Sequence, residues 1–176
     1  MLVSVALFSV VIVIVAAAYL NLVNLDNQTR ATNDLVNNLN FAVDTMARSI
    51  RTGTSYNCDT VSPSDSFHDC TTIAGTGLSF VNDQGTQIGY VWNTSTHQLG
   101  ECTAGAVPCT AAAATYFTDP RISITTMKFY VSGNDKTLLQ QPQVVLVIKG
   151  TLATDPSHPI VSFDIQTTAV QRGVNI

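Results

Sequence analysis

No charged side chain occurs among the first 25 residues; Asp26 is the first. Neither proline nor glycine appears before Gly53. Charged residues make up only 11% of the chain and aromatics 7%. With a net charge of −4, nothing argues for a surface that would hold nucleic acid or anionic lipid. The cysteines have no Cys-x-x-Cys spacing of the zinc type, and no Gly-x-Ser-x-Gly elbow is present. Missing charge and missing helix breakers together allow a long apolar rod. The missing motifs remove the usual footholds for metal or hydrolytic chemistry.

What fills the charge-free opening is a run from Leu2 to Leu20, relieved only by Ser4, Ser9 and Tyr19. Leu2, Val3, Leu7, Phe8, Val11, Ile12, Ile14, Val15 and Leu20 are among its large apolar members. At about 1.5 Å per residue, about 20 residues cross a hydrocarbon layer of about 30 Å. Each Leu, Ile, Val or Phe favours insertion by about 0.3–0.6 kcal/mol, so two serines are outweighed. The Val and Ile content would suit a strand in water. In lipid a lone strand leaves its backbone groups unpaired, so the expectation is a membrane-spanning helix over residues 1–25.

The helical pattern continues beyond the run. Leu35, Leu39, Val43, Met46 and Ile50 recur at steps of four, four, three and four, one face of an amphipathic helix over residues 26–53. Asn37, Asn38 and Asn40 are poor helix formers, so this half depends on packing. Gly53 is placed to end it as a C′ residue, with Arg48 and Arg51 near the negative end of the dipole. One nearly continuous helix of about 75 Å is expected from the rise per residue, with room for a slight break near Asn21 to Asn27.

Residues 54–176 read as an extracytoplasmic head, large enough for one modest core. Strands are expected at Leu78–Asn82, Gln87–Asn93, Ile122–Ser132, Gln143–Leu152 and Ile160–Val170. Asp83-Gln84-Gly85-Thr86 is a hairpin signal and Gly133-Asn134-Asp135 a turn. Val144 to Ile148 is continuously apolar and reads as a buried strand. Asp59 to Gly77 and Gly100 to Pro120 read as loops, with one helical turn expected at Ala111–Ala114. The fold class is α+β: a long N-terminal helix packed on a small antiparallel sheet.

Four cysteines, Cys58, Cys70, Cys102 and Cys109, form two sequence-local pairs. An even set in a polar domain reads as structural disulfides formed in an oxidising compartment. Three connectivities are open. Local pairing, Cys58 with Cys70 and Cys102 with Cys109, is preferred because each bond closes a loop too polar to order itself. Each would supply roughly 2–3 kcal/mol. The charge pattern disagrees with the cysteines. The first cation, Arg30, follows the apolar run, which by the positive-inside rule would place the head in the cytoplasm. A secretory signal cleaved near Ala16-Ala17-Ala18 is a further reading, although the basic beginning that such signals carry is absent.

The charge-free helix, its amphipathic continuation and a small cysteine-bearing sheet together resemble the type IV pilin superfamily, particularly minor pilins and pseudopilins. Leu2 to Ser9 looks like the stretch that follows the family's phenylalanine-threonine-leucine-x-glutamate start. Leu39 to Ala42 and Met46 to Arg51 are similar to its stalk. Lys128-Phe129-Tyr130-Val131 and Phe163 to Thr168 look like head strands. The family's basic leader, cleavage-site glycine, first phenylalanine and glutamate have no counterpart here, and Met1 would fall just after the glutamate. A basic leader ahead of Met1 would hold the N-terminus inside and send the cysteines out. The resemblance implies a structural, non-enzymatic filament subunit. Its partners would be other pilin or pseudopilin subunits, an inner-membrane assembly platform, and membrane lipid before assembly.

Other candidates are weighed against this. His68, His97 and His158 lie in separate loop contexts; solvated loop residues are the simpler reading of them than a hydrolase. Asp59, Asp65 and Asp69 are hard oxygen donors suited to calcium, without EF-hand spacing. Asn27-Gln28-Thr29 and Asn93-Thr94-Ser95 match the glycosylation sequon. Tyr56, Tyr90 and Trp92 read as packing aromatics. No catalytic residue, metal site or cofactor is expected. The alternative to a filament subunit is a membrane-tethered extracytoplasmic binding module that does not polymerise.

Overall fold

A computed structural model of the chain describes residues 2–58, 69–71, 74–103, 109–134, 140–153 and 161–172, with side chains from Val3 onward. A single helix α1, Leu2–Thr52, runs 51 residues without interruption through the Asn21–Asn27 stretch. Hydroxyls along it donate back to carbonyls one turn earlier: Thr29 to Leu25 at 2.9 Å and Thr32 to Gln28 at 2.9 Å. Asp26–Arg30 and Asp44–Arg48 are exposed i,i+4 ion pairs with the acid on the N-terminal side, the better orientation.

Two features end α1. The Tyr56 hydroxyl lies 2.6 Å from both the Ile50 and Gly53 carbonyls, supplying a partner where the helix has none of its own. Gly53 follows the last helical residue, but closeness rather than a left-handed backbone requires glycine there. A Cβ at Gly53 would stand 2.5 Å from a ring carbon of Phe80 and 3.2 Å from the Val81 carbonyl oxygen.

Among the described residues the strands are β1 Thr54–Cys58, β2 Gly77–Val81, β3 Gln87–Asn93, β4 Gln98–Cys102, β5 Thr115–Tyr116, β6 Ile122–Ser132, β7 Gln143–Leu152 and β8 Val161–Val170. The head is built from two antiparallel meanders where the sequence suggested one sheet: β1-β2-β3-β4-β5 and β6-β7-β8. The strands expected at 122–132 and 143–152 have those bounds; β2 is one residue earlier than expected. Asn82 and Gly85 make the β2–β3 hairpin. Gly85 has φ +76°, and the Asn82 side-chain oxygen accepts from the amides of Gln84 and Thr86.

Three strands were not anticipated, and each has a reason. β1 begins directly after Gly53 and carries a register irregularity between Thr54 and Asn57, with Ser55 at φ +58°. That break erases the period-2 pattern. β4 carries a glycine at position 100, and β5 is two residues long; β4 falls partly, and β5 wholly, in the stretch read as the Gly100–Pro120 loop. β4 exists because β3 offers its edge, and β5 because β4 then offers its own, a tertiary cause. The Ala111–Ala114 run contributes a turn, with the Ala113 amide donating to Thr110 at 3.0 Å. The centre of β7 is not buried throughout. Val144, Leu146 and Ile148 face the core, while Val145 and Val147 are half-buried, because only one face of the three-stranded sheet is covered.

The core lies where the two sheets and the second half of α1 meet. Leu35, Leu39, Val43, Met46, Ala47 and Ile50 join Leu78, Phe80, Tyr90, Phe129 and Ile148 in one cluster. α1 approaches β7 and β8, while β6 lies against β1, β2 and β4. Tyr56, Phe80, Tyr90 and Phe117 form a row of aromatics with successive centroids 6.0, 5.8 and 6.3 Å apart. The Trp92 indole donates to the Ile124 carbonyl at 3.1 Å, tying one sheet to the other.

Candidate functional site

The feature that demands a partner is the first half of α1. An 18-residue window of it has mean hydropathy 2.7 and none of it is buried against the rest of the protein. Of the residues singled out above, Val3, Leu7, Phe8, Val11, Ile12, Ile14, Val15 and Leu20 are all exposed, from 50% at Ile12 to 74% at Val3. The Leu2 side chain lies outside the described residues. Apolar surface of this extent is far beyond what a soluble monomer leaves in water. Being apolar on every side, the rod suits a surrounding apolar phase or like rods, and it is long enough to cross a membrane.

The second half of the same helix is the opposite case. Leu35, Leu39, Val43, Met46 and Ile50 are brought together in the core, none more than 9% exposed. Asn38 anchors the lower end: its side-chain oxygen accepts from the Asp119 amide at 3.1 Å. The upper end is held where the Arg172 amide donates to the Arg51 carbonyl at 2.8 Å. The rod and head are therefore rigidly joined over about four turns, from Leu35 to Arg51.

Both cysteine pairs are bonded locally, Cys58 to Cys70 and Cys102 to Cys109, with Cα separations of 6.2 and 5.6 Å. The first bond carries Cys70 to β6, where its amide donates to the Val131 carbonyl at 2.9 Å. Asp69, next in line, accepts from the amides of Gly133 and Asn134 at 3.1 and 3.0 Å. Its carboxylate is thus a backbone clasp. Asp59 and Asp65, its suggested calcium partners, lie outside the described residues, and no group of three metal-binding side chains occurs among the described ones.

His68 and His158 also lie outside the described residues. His97 stands in the β3–β4 turn at φ +57°, its ring nitrogen Nδ1 3.2 Å from the Ile124 carbonyl. Its own carbonyl accepts from the Ile124 amide at 2.9 Å. It fastens the two sheets together. Tyr56 and Tyr90 are fully buried, and burial pushes the Tyr90 phenol up to about 12 and the Tyr56 phenol higher still. Burial also raises the Glu101 carboxyl. The side-chain hydrogen bond from Arg121 lowers the Asp119 carboxyl, and the two make a bidentate pair at 3.0 and 2.9 Å.

One cluster escaped sequence reasoning. Arg48, Arg51 and Arg172 line a shallow cavity of about 450 Å³ at the C-terminal end of α1, with Thr52 and Val170. Arg172 is distant in sequence, and only the return of the chain after β8 brings it there. Comparison with models of protein families, with curated proteins and with solved structures finds no match for this chain.

Proposed function

We propose that this protein is a structural subunit of a type IV pilin-like filament, of the minor pilin or pseudopilin kind. Before assembly it sits in the cell membrane by its single apolar helix, head outside the cytoplasm; afterwards it forms part of a cell-surface filament. The observation that carries this reading is the division of one rigid helix. Its exposed apolar rod, Val3–Leu25, runs without a break into a half buried in a disulfide-bonded head.

A bare rod of this kind has two apolar environments available, lipid chains and sister rods. Moving between them costs little because the surface removed from lipid is returned to another apolar surface. The rigid joint through Leu35–Ile50 carries the head with the rod, so that stacking rods arrays heads around them. The disulfides suit an oxidising exterior. No step of this role needs catalysis, and the reading assigns none. An assembly platform in the membrane would present subunits to the growing end.

Deleting Leu2–Leu20 should yield a soluble, monomeric, folded head. In cells, single cysteines placed at Leu7 or Val11 of the full chain should cross-link between copies. Persistent oligomers of the truncated head would remove the helix from assembly. A full chain that stays in the membrane without any cross-link would instead describe a tethered binding module.

A further inference from the structure

The three arginines at the top of α1 have an uneven supply of counter-charges. Arg30 and Arg121 each hold an aspartate, as Lys149 holds Asp164. Arg48 is taken by Asp44. Arg51 and Arg172 hold no acid among the described residues, and both line the same cavity. Lys128 on β6 is likewise without an acid among the described residues, but only at the pole where helix and last strand end do two such cations share one cavity, on a chain of net charge −4. The Val170 side chain, 43% exposed, gives the cavity an apolar wall beside the guanidiniums.

The acids lie lower on the same rod. Asp26, Asp34 and Asp44 are exposed, as are Arg48 and Arg51, and at 100° per residue all five fall on the side of α1 away from its buried stripe. Asp26 is held only by its exposed pair with Arg30, and Asp34 feels the field of Arg121. Exposed pairs of this sort are weak and exchange partners readily. From Arg51 down to Asp34 is 17 residues and to Asp26 is 25, about 25 and about 38 Å by the helical rise.

From this we infer that the cavity formed by Arg48, Arg51 and Arg172 receives the acidic helix face around Asp26 and Asp34 of a second copy of this chain, displaced along the rod axis. The inference rests on the filament reading and names a contact within it. Acid low and base high on one face makes the surface complementary to itself only after an axial shift. Such a contact is head-to-tail and leaves an unfilled cavity at one end and an unfilled acidic face at the other, so it propagates. A nucleic acid is the poorer occupant. The cluster is three cations wide, one already neutralised, on a protein of negative net charge, whereas duplex binding draws on a row of cations.

The test uses the full chain in detergent micelles, with self-association followed by sedimentation at low and high salt. Arg51→Glu with Arg172→Glu should weaken association roughly tenfold and remove its salt dependence. Adding Asp26→Lys and Asp34→Lys to that variant should restore it. Arg51→Gln with Arg172→Gln, which creates no new charge, should give an intermediate loss, and all variants should keep the wild-type melt. Association unchanged by the reversal, or a wild type that remains monomeric, overturns the inference. So does an oligonucleotide that binds the wild type and not the reversed variant while self-association is equal in both. Cross-links at Leu7 in cells report the rod bundle separately. If they form while reversal has no effect, the filament reading stands and this contact falls; if neither is seen, both fall.

Discussion

The two halves of α1 belong to the same element and obey different solvents. From Val3 to Leu25 the helix is uncharged, largely apolar around its circumference and exposed throughout; from Leu35 to Ile50 it is apolar on one stripe, which the head buries. Phe41 marks the boundary between the faces. It lies within the packed half, yet is 73% exposed because it points away from the stripe. The difference teaches that a continuous helix can carry two independent functions, provided that the packed half fixes its direction and the bare half is left to find company.

The sharpest way to break that comparison is to damage one half and look for an effect in the other. Met46→Ala, at a position with no exposure, should destabilise the head by about 2–5 kcal/mol through lost burial and a residual cavity. Membrane retention should be unaffected. Thermal unfolding of the full chain in micelles measures the first and fractionation the second. Ile12→Arg is the mirror experiment. It should cost about 3 kcal/mol of insertion free energy and leave the head's melting temperature unchanged. A fall in head stability would show that the halves are coupled.

Two smaller effects sharpen the head side. Glu101 pairs across the sheet with Tyr90, which is fully buried in the core. Burial raises the Glu101 pKa, so the folded state holds this proton more tightly than the unfolded state. Its contribution therefore favours folding at low pH and is lost as pH rises from about 4.3, the ordinary glutamate value, through the raised folded value. Glu101→Gln should flatten that part of the pH–stability curve and be more stable than wild type at neutral pH; melts between about pH 4 and about pH 7 decide it. Least of all, Phe41→Ser should change head stability by less than about 0.5 kcal/mol, as for an exposed site without a partner. A larger loss would move Phe41 from the outer face into the fold.

The long strands were legible because they run ten or eleven residues: β8 alternates in sequence, and β7 carries the continuous apolar centre from Val144 to Ile148. β1, β4 and β5 were not, because two to five residues interrupted by a bulge or a glycine carry no period of their own. They become strands only when a neighbour supplies the missing hydrogen bonds. Asp69 shows the same limit at the level of a side chain. In sequence it was one of three loop carboxylates weighed for calcium and left without a metal site, whereas in the fold its oxygens are spent on two amides more than 60 residues away.

The sequence alone determined that a rod of this length would form and be apolar: no charge, proline or glycine interrupts it, and those are local facts about solvation and backbone geometry. It also determined which helix stripe could be buried, since 3.6 residues per turn places Leu35, Leu39, Val43, Met46 and Ile50 together. Only the tertiary structure decided that the head would divide into two sheets, that Tyr56 would close the helix, and that Arg172 would join Arg48 and Arg51. Those depend on which chain segments meet, and segments far apart in sequence are selected by the free energy of the whole packed core rather than by any pattern along one of them.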